Sequence, residues 1–359
     1  MASDASFAAR VVRWQRRHGR HDLPWQATRD PYRVWLSEVM LQQTQVATVL
    51  RYYARFLERF PDVQALAAAP LDEVLARWSG LGYYSRARNL HRCAQAVVGQ
   101  HGGAFPRSAA ALATLPGIGR STAAAIAAFC FGERAAILDG NVKRVLARVR
   151  AFEGDLADPK AVSALWREAE ALLPPRDVDV YTQGLMDLGA TICLARSPKC
   201  ERCPVRETCA AAQASEPERY PVKRRRARRG TREHAWLWLE WDERVWLVQR
   251  PAHGIWAGLW SWPELDTREA LLEASADWPG DGAWLASFTH VLTHLDWTLH
   301  PLRWTLPAAT QAARVAAITA RWPEGRWLSR EEALDAGLPA PVRRLLAASE
   351  ARTATVAAA

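Results

Sequence analysis

Leu115-Pro116-Gly117-Ile118-Gly119-Arg120-Ser121-Thr122 is the stretch of this chain from which its fold class can be argued. Residues 109–115 predict a short helix that Pro116 ends, because a proline ring cannot continue the backbone hydrogen-bond ladder. The two glycines permit positive φ and a close approach to the backbone. Ser121-Thr122 then opens a helix predicted over 123–129, and the free N–H groups at a helix start suit a phosphate. The pattern predicts a helix-hairpin-helix that can grip a nucleic-acid backbone without reading sequence; an ordinary αα-hairpin explains it equally well.

An aspartate follows this second helix. Asp139 stands between an apolar run, 136–138, and a helix predicted over 142–149. An Asp before Gly commonly caps a helix or closes an Asx-turn, so its position alone requires no chemistry.

A glutamate in the first third of the chain has unusually apolar neighbours in sequence. Residues 32–60 are helical in character with one break, and within them Glu38 is flanked by Trp35, Leu36, Val39, Met40 and Leu41. If these side chains pack around it, desolvation raises the pKa of Glu38 and keeps it protonated near neutral pH. A solvent-facing helix glutamate is the alternative.

Length and charge bound the class of protein. At 359 residues, with a net charge of +9 and a pI near 9.6, the chain is long enough for two domains and favours a polyanionic partner, whether DNA, RNA or an anionic membrane. No apolar run approaches the ~18 residues that cross a bilayer, and 1–20 lacks a signal-peptide core. We expect a cytoplasmic protein that does not enter the membrane, with cysteines reduced or bound to metal.

Tryptophan usage divides the chain. Of its 18 tryptophans, five precede residue 230 and thirteen follow it. Between the two parts lies Arg219 to Arg232, which includes a basic run, Lys223 to Arg229. This run predicts a solvated linker and could also follow a phosphate backbone. The predicted organisation is a helical domain over 1–215, a linker over 216–232, a second domain over 233–352 and a frayed tail over 353–359.

Four cysteines lie within one loop-rich stretch. Cys193, Cys200, Cys203 and Cys209 have the spacing C-x6-C-x2-C-x5-C. Four thiolates can hold zinc or a [4Fe–4S] cluster, and the spacing leans only mildly towards iron. Cys93 and Cys130 sit in apolar helical runs and are predicted to be core residues.

The second half mixes strands and helices. Alternation predicts a hairpin from 234–240 and 245–250, and further strands over 284–289 and 295–304. Helices are predicted over 268–276 and 340–352. An α/β domain is therefore expected.

Together these motifs resemble the helix-hairpin-helix DNA glycosylases, and most specifically the adenine DNA glycosylases of the MutY type. The hairpin, Asp139, the four-cysteine loop and the run Ser37-Glu38-Val39-Met40-Leu41-Gln42-Gln43-Thr44-Gln45 carry the resemblance, which covers nearly the whole chain. It implies a mostly α N-terminal glycosylase domain with a [4Fe–4S] loop over 193–209, followed by an α/β Nudix-like C-terminal domain.

The resemblance also implies an activity and its residues. Glu38 would protonate an extruded adenine, Asp139 would stabilise the cationic sugar or bond to it, and Asn141 would position Asp139 or water. Ser121 stands where related lyases carry the lysine that forms a Schiff base, which implies a monofunctional enzyme; Lys143 could crosslink weakly. The other implied substrate- or DNA-binding residues are Trp25, Leu41, Gln43, Thr44, Leu81, Tyr83, Gly117, Gly119, Gln183 and Thr293.

The C-terminal half resembles the domain that such enzymes use to check the opposite base. The Nudix hydrolase signature aligns at Gly254, Arg268, Glu269 and Glu273, but Trp260 and Leu272 replace acidic residues, so phosphohydrolysis is not expected. Leu292-Thr293-His294 stands where the family has Phe-Ser-His, and Thr293 keeps a hydroxyl for 8-oxoguanine.

The implied partner is double-stranded DNA with 8-oxoguanine:adenine or guanine:adenine mispairs, bound by a monomer associated with the nucleoid. Two alternatives remain open at this point: an oxidised-pyrimidine glycosylase/lyase of the endonuclease III type, which Ser121 argues against, and a non-catalytic iron–sulfur DNA-binding protein.

Overall fold

A computed structural model describes residues 2–222 and 229–357, with side chains over 7–222 and 229–348. It separates into two compact units: Met1–Ala68 with Arg92–Arg226, and Ala69–His91 with Ala227–Ala359. The basic run predicted as a linker lies mostly outside the described residues. Within the described part, none of the helices is both long and apolar enough to cross a lipid bilayer.

The part up to residue 222 is helical. Its helices are α1 (Ala2–His18), α2 (Pro31–Leu41), α3 (Val46–Arg59), α4 (Val63–Ala68), α5 (Leu71–Trp78), α6 (Ser85–His101), α7 (Ala109–Leu112), α8 (Arg120–Phe131), α9 (Gly140–Val149), α10 (Pro159–Ala171), α11 (Val178–Thr191) and α12 (Ala210–Gln213). Short 3₁₀ turns follow at Cys200–Arg202, Arg206–Thr208 and Pro217–Arg219. The break predicted within 32–60 is the turn between α2 and α3.

Caps explain where several of these helices begin. Asp30 accepts a hydrogen bond from the Tyr32 N–H ahead of α2, and Asp158 accepts one from the Lys160 N–H ahead of α10. Each is followed by a proline at the first helical position, where the missing N–H costs nothing. Asp139 caps α9 in the same manner, by accepting from the Val142 N–H.

The predicted hairpin is formed by α7 and α8. Helix α7 ends at Leu112, earlier than predicted, because the chain turns at 112–118 through hydrogen bonds such as Ile118 N–H to the Leu115 carbonyl. Gly117 has φ +76°, a conformation that favours glycine. Helix α8 begins at Arg120 and ends at Gly132 in a left-handed cap.

The core of the first unit joins α1, α8, α9, α10 and α11. Its fully buried members include Val11, Ala125, Leu146, Leu165 and Leu188. Tyr220 is also buried in this core. Tyr220 lies within the predicted linker, 216–232, and its aromatic ring packs into the helical unit.

The second unit contains a mixed sheet. Its strands are β1 (Gly230–Trp241), β2 (Arg244–Gln249), β3 (Trp260–Ser261), β4 (Glu264–Leu265), β5 (Asp281–Trp284), β6 (Phe288–Val291), β7 (Leu295–Thr305) and β8 (Gly325–Ser329), and its later helices are α13 (Arg268–Ser275), α14 (Ala312–Thr319), α15 (Arg330–Asp335) and α16 (Ala340–Ala357).

The sheet is built on a long parallel pair. Strands β1 and β7 pair from Gly230↔Leu295 to Glu240↔Thr305, and β1 and β2 form the predicted hairpin with Trp241 opposite Arg244. The strand predicted over 284–289 is instead two strands, β5 and β6, which pair with different parts of β7. The tail predicted as frayed from 353 continues α16 as far as Ala357.

Residues 69–91 belong to the second unit. The predicted division of the chain near 216 places them in the first. The Ser79 and Tyr84 hydroxyls both donate to the Leu338 carbonyl, each at 3.0 Å. Arg88 donates to the Ala257 carbonyl at 2.7 Å. Residues 69–91 join the second unit through hydrogen bonds to residues far away in the sequence, and local sequence patterns do not reveal such bonds.

Candidate active site

A cleft of about 1440 Å³ in the helical unit brings together most of the predicted site residues. Glu38 reaches it from α2, Ser121 from the start of α8, Asp139 and Asn141 from the start of α9, and Gln183 from α11. Also lining it are Trp25, Leu41, Gln43 and Thr44. Five segments therefore meet at the cleft: the loop that carries Trp25, α2 with the turn after it, and the starts of α8 and α9 together with α11.

Glu38 is partly buried, and burial raises its pKa from 4.5 to about 8, with the charge of Asp139 adding to the effect. Its neighbours in the same helix, Trp35, Leu36, Val39 and Met40, are all buried. Among the residues that the structure describes, none hydrogen-bonds the Glu38 carboxyl. Glu38 is therefore an acid that keeps its proton at neutral pH.

Asp139 has a different environment in the same cleft. Burial raises its pKa, while hydrogen bonds from the backbone of Val142 and Asn141 and the charges of Arg144 and Lys143 act in the opposite direction. Its Oδ1 accepts from the Val142 N–H at 2.7 Å. These donors favour the ionised form of Asp139, whereas Glu38 has none among the described residues.

Asn141 is held from two sides. Its Oδ1 accepts from Arg144 at 2.9 Å, and the same Arg144 nitrogen donates to the Gly189 carbonyl at 2.6 Å. A Cβ added at Gly189 would lie 2.6 Å from the Asn141 Cβ, so glycine at 189 is what lets α11 approach this closely. Asn141 is thus fixed beside Asp139.

Ser121 supports the segment that leads to Asp139. Its hydroxyl accepts from the Leu138 N–H at 3.0 Å. Leu138 immediately precedes Asp139, so this bond ties the start of α8 to the backbone of the cleft. The sequence did not reveal this structural role.

The predicted DNA-facing glycines lie outside the cleft, on the hairpin. Gly117 and Gly119 are exposed, and a Cβ added at Gly119 would meet no protein atom within 4 Å. Lys143 is partly buried and does not line the cleft, although its charge lowers the pKa of Asp139.

The four cysteines of the loop line one small cavity in the helical unit. Burial and then neighbouring thiols raise the pKa of Cys203 to about 12, and the pKa values of Cys200 and Cys209 rise for related reasons. Four thiolates so placed repel one another unless cations neutralise them, so the donor set fits an iron–sulfur cluster. No three His, Cys, Asp or Glu side chains in the described part are grouped as ligands of a single metal ion.

Three predicted site residues belong to the second unit. Tyr83 is 45% exposed, and its hydroxyl lies 3.3 Å from that of Thr293, which is also exposed. Tyr83 and Thr293 are thus brought together although 210 residues separate them. Leu81 is 5% exposed, because an apolar side chain is more stable inside this unit.

Arg20, which lines the cleft, and its partner Asp187, which does not, were not predicted from the sequence. Asp187 is fully buried and accepts hydrogen bonds from Arg20 and Gln183. Its position four residues after Gln183 on one helix could have indicated the second contact. The first contact joins residues 167 apart, and no local pattern predicts it.

Comparison with known proteins agrees with this architecture. Residues 36–171 match the HhH-GPD superfamily of base excision DNA repair proteins, residues 193–209 the iron–sulfur binding domain of endonuclease III, and residues 234–348 the NUDIX domain. The predicted fold class is confirmed.

Relatives that align with more than nine tenths of this chain identify a narrower family within the base excision DNA repair proteins. The chain is 33% identical over 353 residues to the adenine DNA glycosylase of Buchnera aphidicola subsp. Acyrthosiphon pisum (strain APS), covering 95% of this chain and 96% of the relative. It is 34% identical over 398 residues to the adenine DNA glycosylase of Homo sapiens, covering 92% and 72%. A solved thermostable thymine-DNA glycosylase has a TM-score of 0.53 at 30% identity, covering 59% of this chain and 98% of that one.

The hairpin, the two-carboxyl cleft and the cysteine loop define a helix-hairpin-helix base-excision DNA-repair protein with a [4Fe–4S] cluster. Within that class the chain belongs to the adenine DNA glycosylase family, and it is a DNA N-glycosylase.

Proposed function

We propose that this enzyme hydrolyses the N-glycosidic bond of adenine paired with 8-oxoguanine or guanine in duplex DNA. The observation that carries the proposal is the opening of Glu38 and Asp139 onto one cleft, with a pKa near 8 for Glu38 that the charge of Asp139 helps to raise. Adenine must leave the base stack first, because neither carboxyl group could reach it there.

Glu38 is proposed as the general acid. Adenine is a poor leaving group, and protonation of a ring nitrogen removes the negative charge that would otherwise develop on it. A carboxyl with a pKa of about 8 holds that proton at neutral pH and releases it to a base inside the cleft. Trp25 and Leu41 line the cleft and would pack against the base.

Asp139 is proposed to face the sugar as it becomes an oxocarbenium ion. An ionised carboxylate stabilises that cation, either across space or by transient bonding, and water completes the hydrolysis. Asn141, fixed by Arg144, would orient Asp139 or the water. The two carboxyls thus act in opposite protonation states.

The hairpin is proposed to hold the DNA backbone. Gly119 leaves open space at the start of α8, so a phosphate can approach the backbone N–H groups there. Gly117 shapes the turn, and Lys143 adds positive charge nearby. The net charge of +9 supports the same partner.

We propose that residues of the second unit recognise the opposite base. Tyr83 and Thr293 are exposed polar side chains in contact, and we propose that they meet 8-oxoguanine. Leu81, buried two residues before Tyr83, would anchor the turn that carries it. Gln43 and Thr44, on the rim of the cleft, would fill the space that adenine vacates.

We propose that Cys193, Cys200, Cys203 and Cys209 hold the cluster. When bound, it crosslinks the loop and neutralises the crowded thiolates; the chemistry at the base needs no electron transfer.

We also propose that the enzyme is a monomer that works in the cytoplasm on nucleoid DNA. We propose that it is monofunctional, because the Ser121 hydroxyl cannot form an imine.

The test is a single-turnover assay on duplexes with adenine opposite 8-oxoguanine and opposite guanine, with and without alkali after the reaction. We expect strand breaks only after alkali, which would also be the sign of a monofunctional enzyme. Glu38→Gln should lower the rate by at least about 10³-fold, since it removes the acid, while DNA binding is unchanged.

Two further experiments test recognition of 8-oxoguanine and the absence of lyase activity separately from base excision. Thr293→Ala should reduce the preference for 8-oxoguanine over guanine and leave the guanine:adenine rate unchanged. Efficient borohydride trapping of wild-type enzyme on DNA would contradict the monofunctional assignment, and a normal rate for Glu38→Gln would exclude its role as the acid.

A further inference from the structure

Gln183 reaches the cleft from α11 with only one of its two amide atoms accounted for by the protein. Its Nε2 donates to the Asp187 Oδ1 at 2.9 Å. A carboxylate accepts hydrogen bonds and cannot donate them, so the amide NH₂ group must be the one that faces Asp187. No described residue donates to the Gln183 Oε1, which is left for the cleft.

Asp187 is itself held in one position. It is fully buried, and its Oδ1 accepts from the Arg20 Nε at 2.7 Å and lies 2.6 Å from another Arg20 nitrogen. Its Oδ2 accepts from the Arg20 backbone N–H at 2.9 Å. With both oxygens bound to Arg20, the carboxylate of Asp187 cannot turn away from Gln183.

We infer that Asp187 is a positioning residue that makes Gln183 a pure hydrogen-bond acceptor towards the base, and that this selects a purine with a 6-amino group. The inference rests on the proposed function. An acceptor fixed in the cleft pairs with the exocyclic amino group of adenine, and its lone pairs repel the O6 of a guanine-like base. If the Gln183 amide rotated, its NH₂ group would face the base and favour O6 over a 6-amino group. The hydrogen bond to Asp187 prevents this rotation.

The test compares excision of adenine with excision of unsubstituted purine, which lacks the 6-amino group, both opposite 8-oxoguanine. Asp187→Asn can present either an oxygen or an NH₂ group to Gln183, so the amide is free to rotate. We expect the adenine-to-purine ratio of single-turnover rates to fall about tenfold, the worth of one hydrogen bond. A merely structural role would lower both rates by the same factor.

The control is Asp177→Asn. Asp177 also pairs with an arginine, Arg16 of α1, at 2.8 Å, but it forms no hydrogen bond with Gln183. Its left-handed backbone (φ 58°) tolerates Asn. The ratio should remain that of the wild type.

Gln183→Met keeps the Arg20–Asp187 pair and removes the amide, so it tests the inference even if Asp187→Asn fails to fold. The ratio should fall about as far as in Asp187→Asn, and the double variant should add nothing. An unchanged ratio in Gln183→Met would overturn the inference. If the wild type released neither base, the proposed function would fail instead.

Discussion

Two carboxyl groups in one cleft differ because of their nearest atoms. Glu38 has apolar neighbours and no hydrogen-bond donor among the described residues, and its pKa rises to about 8. Asp139 receives a hydrogen bond from the first turn of α9, where the helix dipole also favours negative charge. Glu38 therefore holds its proton at neutral pH, which suits the role of general acid that we propose for it.

The pH dependence of the free enzyme should report this proton. Single-turnover rates at subsaturating enzyme should be highest below pH 8 and fall as Glu38 loses its proton above about pH 8. The measurement is adenine release between about pH 6 and about pH 10. A rate that stays level up to the highest pH would contradict the assignment.

The pH dependence of the free energy of unfolding distinguishes loss of the Glu38 proton from unfolding of the enzyme. The folded pKa of Glu38 lies above its ordinary 4.5, so the folded state binds the proton more tightly than the unfolded state. The free energy of unfolding, relative to Glu38→Gln, should then decrease between about pH 4.5 and about pH 8 and level off above. The activity declines where this stability change is already complete.

At the level of elements, α9 connects the cleft to the cysteine loop. Asp139 caps its start, and Arg144 and Arg148, four residues apart, lie on one side of it. Arg144 donates to the Cys193 carbonyl at 2.7 Å. Arg148 is 2% exposed and donates to the carbonyls of Leu194, Ala195 and Tyr220 and to the Cys193 Sγ.

Arg148→Lys should loosen the cysteine loop. A lysine has one nitrogen and cannot reach acceptors spread around a guanidinium, so buried carbonyls lose their donors, each at a cost of about 1–3 kcal/mol. We expect less iron per protein, weaker visible absorption and a lower melting temperature. Arg150→Lys is the control: it changes a partly exposed pair with Glu168 just after the same helix and should keep its iron. Wild-type iron content in Arg148→Lys would contradict this role.

For the whole molecule, the important fact is that the second unit is assembled from two segments of chain. Residues 69–91 bond to 257 and 338 through Arg88, Ser79 and Tyr84. Gln249 donates to Asp72 at 3.0 Å. The helical region up to 222 therefore lacks part of its packing when the later residues are absent.

A chain ending at residue 222 should be opened by protease within 69–91. Without 229–357, Ser79, Tyr84 and Arg88 lose these partners, and the surrounding backbone opens more often. Limited proteolysis with mass spectrometry should detect earlier cuts there than in the full chain. Cuts within α10, which packs in the helical core, should occur at similar rates in both. Equal protection of 69–91 would contradict the two-segment unit.

Short-range signals in the sequence were enough to predict the fold class and to propose which residues act in the cleft. The hairpin glycines, the helix caps, the apolar setting of Glu38 and the cysteine spacing all act within a few residues, so they can be read along the chain. The β1–β2 hairpin follows from alternation for the same reason.

Other features depend on which distant segments pack together. The grouping of 69–91 with the sheet, the burial of Leu81 and Tyr220, the Tyr83–Thr293 contact and the Arg20–Asp187–Gln183 network join residues that lie far apart in the chain. Such contacts form only when the whole chain has folded, because each needs a surface supplied by another segment. The identity of the proposed reacting groups is set by local sequence, whereas their orientation and support come from long-range packing.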